Sequence, residues 1–198
     1  MYAIAVNGSP RVGGNTEIML QEVLTPLKQN GWQTEQVTVG GTAIRGCVAC
    51  YKCFENKNNQ CVLNDNFNEI YAKLIKTDAM ILGSPTYFAA VSADLKALLE
   101  RAGLVAIAND NAFAGKIGAA VVAVRRGGAT HAFDSINHMY QMSRMIVPGS
   151  TYWNMGIGRD KEEVKEDEEG LRNMRHLGAV IDWLGRATNC LQDEYPEG

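Results

Sequence analysis

YAIAVNGSPRVGGNT, residues 2–16, is the stretch on which the fold turns. Tyr2 to Val6 is an apolar run of strand length, and Gly8, Ser9 and Pro10 end it in a turn. A helix is expected next. Ile18, Met19, Val23, Leu24 and Leu27 recur at helical spacing between Thr16 and about Lys28, and Asn15-Thr16-Glu17 suits a capped start. Pro26 falls late in that run, where it is expected to kink the end. A buried strand passing through a glycine-rich turn into a helix is the opening unit of a doubly wound sheet.

The same alternation continues along the chain. TEQVTV at 34–39 reads as a second strand, FNEIYAKLIK at 67–76 as an amphipathic helix, and AMILGSP at 79–85 as a strand buried on both faces. SADLKALLERAG at 92–103 is expected to form a helix with Ser92 as N-cap and Gly103 just past its end. KIGAAVVAV at 116–124 is a further buried strand, 130–146 carries helical spacing, GSTYWNMGIG at 149–158 contains a fifth strand, and a last helix starts near Leu171. This order predicts an α/β fold: a doubly wound, five-stranded parallel sheet with helices on both faces. A single domain over 1–198 is expected, with a cysteine-rich loop, 46–65, inserted after the second strand.

Composition narrows the function. With 198 residues, 46% of them hydrophobic, the chain can bury a core without covalent staples. A net charge of −3 offers no footprint for nucleic acid, so no such partner is expected. No apolar run has the length of a membrane span, and MYAIAVNGSPR lacks a basic n-region and an A-x-A-like cleavage site, which makes the cytoplasm the expected location. RDKEEVKEDEEG at 159–170 reads as a solvated loop or helix start. His131, His138 and His176 are scattered over helices as surface or packing residues, and Glu100-Arg101 reads as an ordinary helix-surface or interface pair.

GSPRVGGNT, residues 8–16, sits where such sheets bind phosphate, at the positive end of the first helix dipole. Gly8, Gly13 and Gly14 permit close approach, Ser9, Asn15 and Thr16 add donors, and Arg11 adds a charged fork. The glycine spacing fits neither a Walker loop nor GxGxxG, and an exposed Gly/Ser turn is often only a turn. Two further loops lie at carboxyl ends of strands. One carries Pro85, Tyr87 and Phe88 as flat apolar surface, unless these aromatics are core; the other carries a Gly-Gly turn beside Arg125 and Arg126. A planar, phosphorylated ligand fits all three loops.

Cys47-x2-Cys50-x2-Cys53-x7-Cys61 holds four of the five cysteines; Cys190 stands alone as an ordinary thiol. In a reducing compartment such crowding points to metal binding or redox chemistry before disulfides. Three cysteines at successive x2 spacing can wrap three irons of one cubane, with the fourth thiolate arriving after a short loop. Zinc sites more often pair two separate knuckles, so zinc is the weaker metal reading, and free or redox-active thiols remain open.

G-S-P-R-x-x-G-N-T, G-S-P-x-Y-F and R-R-G-G together resemble the flavodoxin-like NAD(P)H-dependent FMN reductases over nearly the whole chain. The resemblance implies FMN, with Ser9, Arg11, Asn15 and Thr16 on its phosphate beside Gly14. It implies Pro85, Thr86, Tyr87 and Phe88 along the isoalloxazine, Gly127 and Gly128 toward the pyrimidine side, and Arg125 or Arg126 nearby. The cysteine quartet is similar to that of the iron-sulfur flavoproteins within this group, which implies a [4Fe-4S] cluster on Cys47, Cys50, Cys53 and Cys61. The expected protein moves electrons from NAD(P)H or ferredoxin to a small-molecule or protein acceptor, as a homodimer or homotetramer. A cluster-free reductase of flavin, quinone or azo compounds, and a thiol- or zinc-based sensor, are the alternatives.

Overall fold

In the computed structural model, which describes residues 1–196, the strands β1 (Tyr2–Asn7), β2 (Gln33–Thr38), β3 (Ala79–Pro85), β4 (Ile117–Val124) and β5 (Met155–Ile157) form one sheet in the order β2-β1-β3-β4-β5. All pairings are parallel, with Ala3 opposite Ala79 and Ala79 opposite Ile117. This is the flavodoxin-like strand order. The chain leaves β1 toward one edge and later crosses back to start β3 on its other side, so the loops after β1 and β3 diverge there.

Strand alternation divides the core in two. Ala3, Ala5, Ala79 and Ile81 face α1 (Asn15–Gln29) and α6 (Glu168–Thr188), whose Met19, Leu20, Leu27, Met174 and Leu177 cover them. Ile4, Val6, Met80 and Leu82 face the opposite layer, made by α3 (Phe67–Leu74), α4 (Ala93–Ala108) and α5 (Ala129–Met142). With both faces covered, β3 and β4 read as continuous apolar runs, as they must in a parallel sheet. Gly118 in β4 leaves room for the Tyr140 ring, whose hydroxyl accepts from the Leu82 amide at 3.1 Å.

Two expectations on elements change. α4 passes through Gly103 and ends five residues later at Ala108, with Asn109 as its C-cap, because Leu104, Val105 and Ala108 continue an apolar face that outweighs one glycine. Ser92 takes the N-cap position, but its hydroxyl caps nothing and donates to the Gly8 carbonyl at 2.7 Å. Only Met155–Ile157 of the 149–158 stretch pairs as a strand. Pro26 lies inside α1, which continues to Gln29; so near the end it removes only the bond to the Glu22 carbonyl. The acidic 159–170 segment folds as a loop, a short 3₁₀ turn and the first turn of α6.

Candidate functional site

A cleft of about 230 Å³ opens at the carboxyl ends of β1, β3, β4 and β5. The 8–14 turn contributes Ser9 and Arg11, and the first turn of α1 contributes Asn15 and Thr16. Pro85, Thr86 and Tyr87 come from the loop after β3, Arg125 from the loop after β4, and Gly158 and Arg159 from the loop after β5. The Asn7 side chain accepts from the Ser9 amide at 2.9 Å and the Ser9 hydroxyl accepts from the Arg11 amide at 3.3 Å, which curls the turn. No side chain caps α1, so its first-turn amides stay available to an anion, with three guanidinium groups around them. Arg11 is steadied by donating to the Arg159 carbonyl at 2.9 Å.

The loops hold one another. Ser92 ties the β1 loop to α4, and its amide donates to Ser84 at 2.9 Å. Asn15 donates to the Asp160 carbonyl at 2.9 Å and accepts from the Val164 amide at 3.2 Å, so its amide group anchors the fourth loop rather than standing free for a phosphate. Gly128 has φ +87, and a Cβ there would lie 3.0 Å from that of Ala89, which packs the Gly-Gly turn against the β3 loop. Gly14 is the N-cap of α1 and does not line the cleft.

Consecutive residues divide between two cavities. Ala123 and Arg125 line the cleft, while Val124, Arg126, Gly127 and Gly128 line a neighbouring groove of about 550 Å³ with Tyr152, Trp153, Asp167 and Asn173. Phe88 lines neither. It stands fully exposed at the tip of a two-residue hairpin in which Tyr87 and Ala90 exchange both backbone bonds and Phe88 and Ala89 take positive φ.

Cys47, Cys50, Cys53 and Cys61 line one narrow pocket with Val48, Tyr51, Val62, Leu63, Leu104, Val105 and Arg101. Ala49 and Tyr51, both at positive φ, flank Cys50 and bend the chain so that successive thiols reach the same side. The five-residue helix α2 (Lys52–Asn56) then carries Cys53 inward, the buried member of the set. Burial pushes the Cys53 thiol above its ordinary pKa, and the nearby Cys61 and Cys47 add to this. Asn68 clasps Cys61, accepting from its amide and donating to its carbonyl, both at 2.8 Å. All five cysteines are free, and among the described residues no three His, Cys, Asp or Glu side chains converge on a single-ion site. A cubane instead spreads its thiolates over four irons.

Arg101 corrects the surface reading of Glu100-Arg101. Glu100 is exposed, accepting from the Cys47 amide at 3.4 Å, but Arg101 is 1% exposed. Its Nη1 donates to Asp65 at 2.6 Å and to the Arg45 carbonyl at 3.1 Å, and its guanidinium lies 4.1 Å over the Phe67 ring. A charge at i+3 from Leu98 and four before Val105, on an apolar stripe, was the available signal. Burial works against the Asp65 carboxylate, but Arg101 and the Arg45 and Phe67 amides outweigh it and hold its pKa below the ordinary value. A depressed carboxyl contributes stability that is complete above the unfolded value of about 3.9 and is lost as pH falls through the folded one. Amide exchange in the 45–65 loop should therefore accelerate only in that acid window, and Asp65→Asn should flatten this response. An unchanged acid response in the variant would acquit Asp65.

Residues 1–160 match the family described as NADPH-dependent FMN reductase. An iron-sulfur flavoprotein of Methanocaldococcus jannaschii is 34% identical over 188 residues, covering 91% of this chain and 95% of that protein. One of Methanosarcina thermophila is 32% identical over 176 residues, covering 88% and 90%. Among solved structures, RosB with a bound flavin-derived intermediate, 8-demethyl-8-formylriboflavin-5'-phosphate, superposes with a TM-score of 0.77 at 18% identity, over 100% of this chain and 82% of that one, a likeness of fold. By profile, by identity and by strand order, this chain belongs to the NADPH-dependent FMN reductase family, in its iron-sulfur flavoprotein group, and is an FMN-type oxidoreductase or electron-transfer flavoprotein.

Proposed function

We propose that this protein transfers electrons between a reduced donor, NAD(P)H or ferredoxin, and a small-molecule or protein acceptor, using FMN in the cleft and a [4Fe-4S] cluster on Cys47, Cys50, Cys53 and Cys61. The observation that carries the reading is one pocket lined by four free thiols, in a chain that also has an arginine-flanked cleft at a helix N-terminus. Two unpartnered donors of the buried Arg101 support the fit of an anionic sulfur-bearing group there. Relatives named iron-sulfur flavoproteins support it further.

When bound, FMN supplies exchange between two-electron and one-electron carriers. The residues around it bind and bias. Ser9, Arg11, Thr16 and the α1 amides would hold the phosphate, with Asn15 keeping the β5 loop in place. Pro85, Thr86 and Tyr87 offer a wall for the ring, and Phe88 projects where a partner or a second subunit could meet it. Arg125 adds positive charge that favours reduction, while Gly127 lines the neighbouring groove with its Cα facing open space.

This reading takes 1–198 as one FMN-binding domain with the 46–65 loop inserted, working in the cytoplasm as a homodimer or homotetramer. No helix among the described residues is long and apolar enough to cross a membrane. Anaerobic purification with flavin, iron and sulfide analysis tests the proposal: FMN bands with a dithionite-bleachable shoulder are expected. Iron-free protein that turns over NAD(P)H would assign the cluster-free reductase instead. Arg11→Ala should weaken FMN by about 1–3 kcal/mol, the scale of a charge-assisted hydrogen bond; equal affinity in a fluorescence titration would remove Arg11 from the phosphate site.

A further inference from the structure

The thiol pocket contains a cation that holding a cluster does not require. Arg101 lines the pocket and is 1% exposed, yet only its Nη1 is paired, to Asp65 and the Arg45 carbonyl. Its Nε and Nη2 have no hydrogen-bond partner among the described residues. Buried donors without acceptors are costly, and a guanidinium cannot shed its charge to escape that cost. Cys61 lines the same pocket as Arg101, so these donors share it with the quartet. The Tyr71 hydroxyl is another buried polar group without a partner among the described residues.

We propose that the free Nε–H and Nη2–H of Arg101 donate to sulfur of the cluster held by the quartet, and that the Arg101–Asp65 pair sets its reduction potential. This rests on the cluster assignment above. Reduction adds one electron to the cluster and breaks no bond, so a fixed cation beside it in a low-dielectric pocket stabilises the reduced state. Asp65 partly offsets that cation. Removing the two partners must therefore move the potential in opposite directions, whereas a strut that only pins the loop to α4 has no reason to do so.

The test is an EPR-monitored redox titration of anaerobically purified holoprotein, with iron and sulfide counted in each sample. Arg101→Met is expected to lower the reduced-to-oxidised ratio at fixed potential about tenfold, a shift of about 59 mV for one electron. Asp65→Asn is expected to raise it. If Arg101→Met fails to fold, Arg101→Lys, which keeps charge but loses the fork, must still lower the potential, and Asp65→Asn must still raise it. Loaded variants that titrate with the wild type, or that move the same way, overturn the role of Arg101 and leave the cluster assignment standing. Wild-type protein without iron and sulfide overturns both.

Discussion

Cys53→Ala is expected to abolish the iron and sulfide of the proposed cluster while leaving bound FMN in place. Cys53 is the buried thiol of the quartet, carried into the pocket by α2 and placed between Cys50 and Cys61 in sequence. A cubane lacking one of its four thiolates has an open iron corner. The cleft proposed for FMN is built from other residues, the loops after β1, β3, β4 and β5, so its occupancy should not fall. Iron, sulfide and flavin per chain, measured on anaerobically purified variant, give the answer. Full iron retention would exclude Cys53 as a ligand, and joint loss of iron and FMN would mean that the variant disturbs the whole fold.

Gly40→Ala should produce the second large effect, through backbone alone. Gly40 follows β2, and its amide donates to the Asn7 carbonyl at 3.2 Å. A Cβ at this position would collide with the Ser9 carbonyl and the Pro10 nitrogen, main-chain atoms of the phosphate turn that cannot rotate away. Either β2 or the turn must move. Overpacking of this kind costs about 1–3 kcal/mol of stability. Displacing the turn also forfeits one or two charge-assisted bonds to the ligand, each about 1.5–3 kcal/mol, so FMN affinity should drop roughly tenfold or more. Titration of apoprotein with FMN, beside a denaturation curve, separates the two effects. Wild-type affinity would show that the turn does not depend on this contact.

Much of the fold was legible because local and global signals agree. Ala79–Pro85 and Ile117–Val124 are apolar without interruption, and only a strand covered on both faces needs that pattern. β5 was legible as a strand but not in extent, since three paired residues leave little periodic signal. Gly103 misled because a glycine inside a long helix looks like one just past its end until the next turn packs. In the candidate site, the glycine-rich turn and the clustering of the four cysteines could be read from residue type and spacing. The division of Arg125 from Gly127 and Gly128 into separate cavities, and the projection of Phe88 out of both, depend on loop conformation. Arg159 was missed although it follows the carboxyl end of β5, the edge where ligands bind.

By itself the sequence determined the alternating elements, the glycine-rich turn entering a helix, and four thiols confined to a short loop, because periodicity and spacing are properties of neighbours along the chain. Only tertiary structure decided that Arg101, 40 positions beyond Cys61 in sequence, enters the thiol pocket with Asp65 as its partner, and that Gly40 leaves room for Ser9. Those contacts join segments brought together by the parallel crossovers of the sheet, and no local pattern encodes which side chain a distant helix will bury.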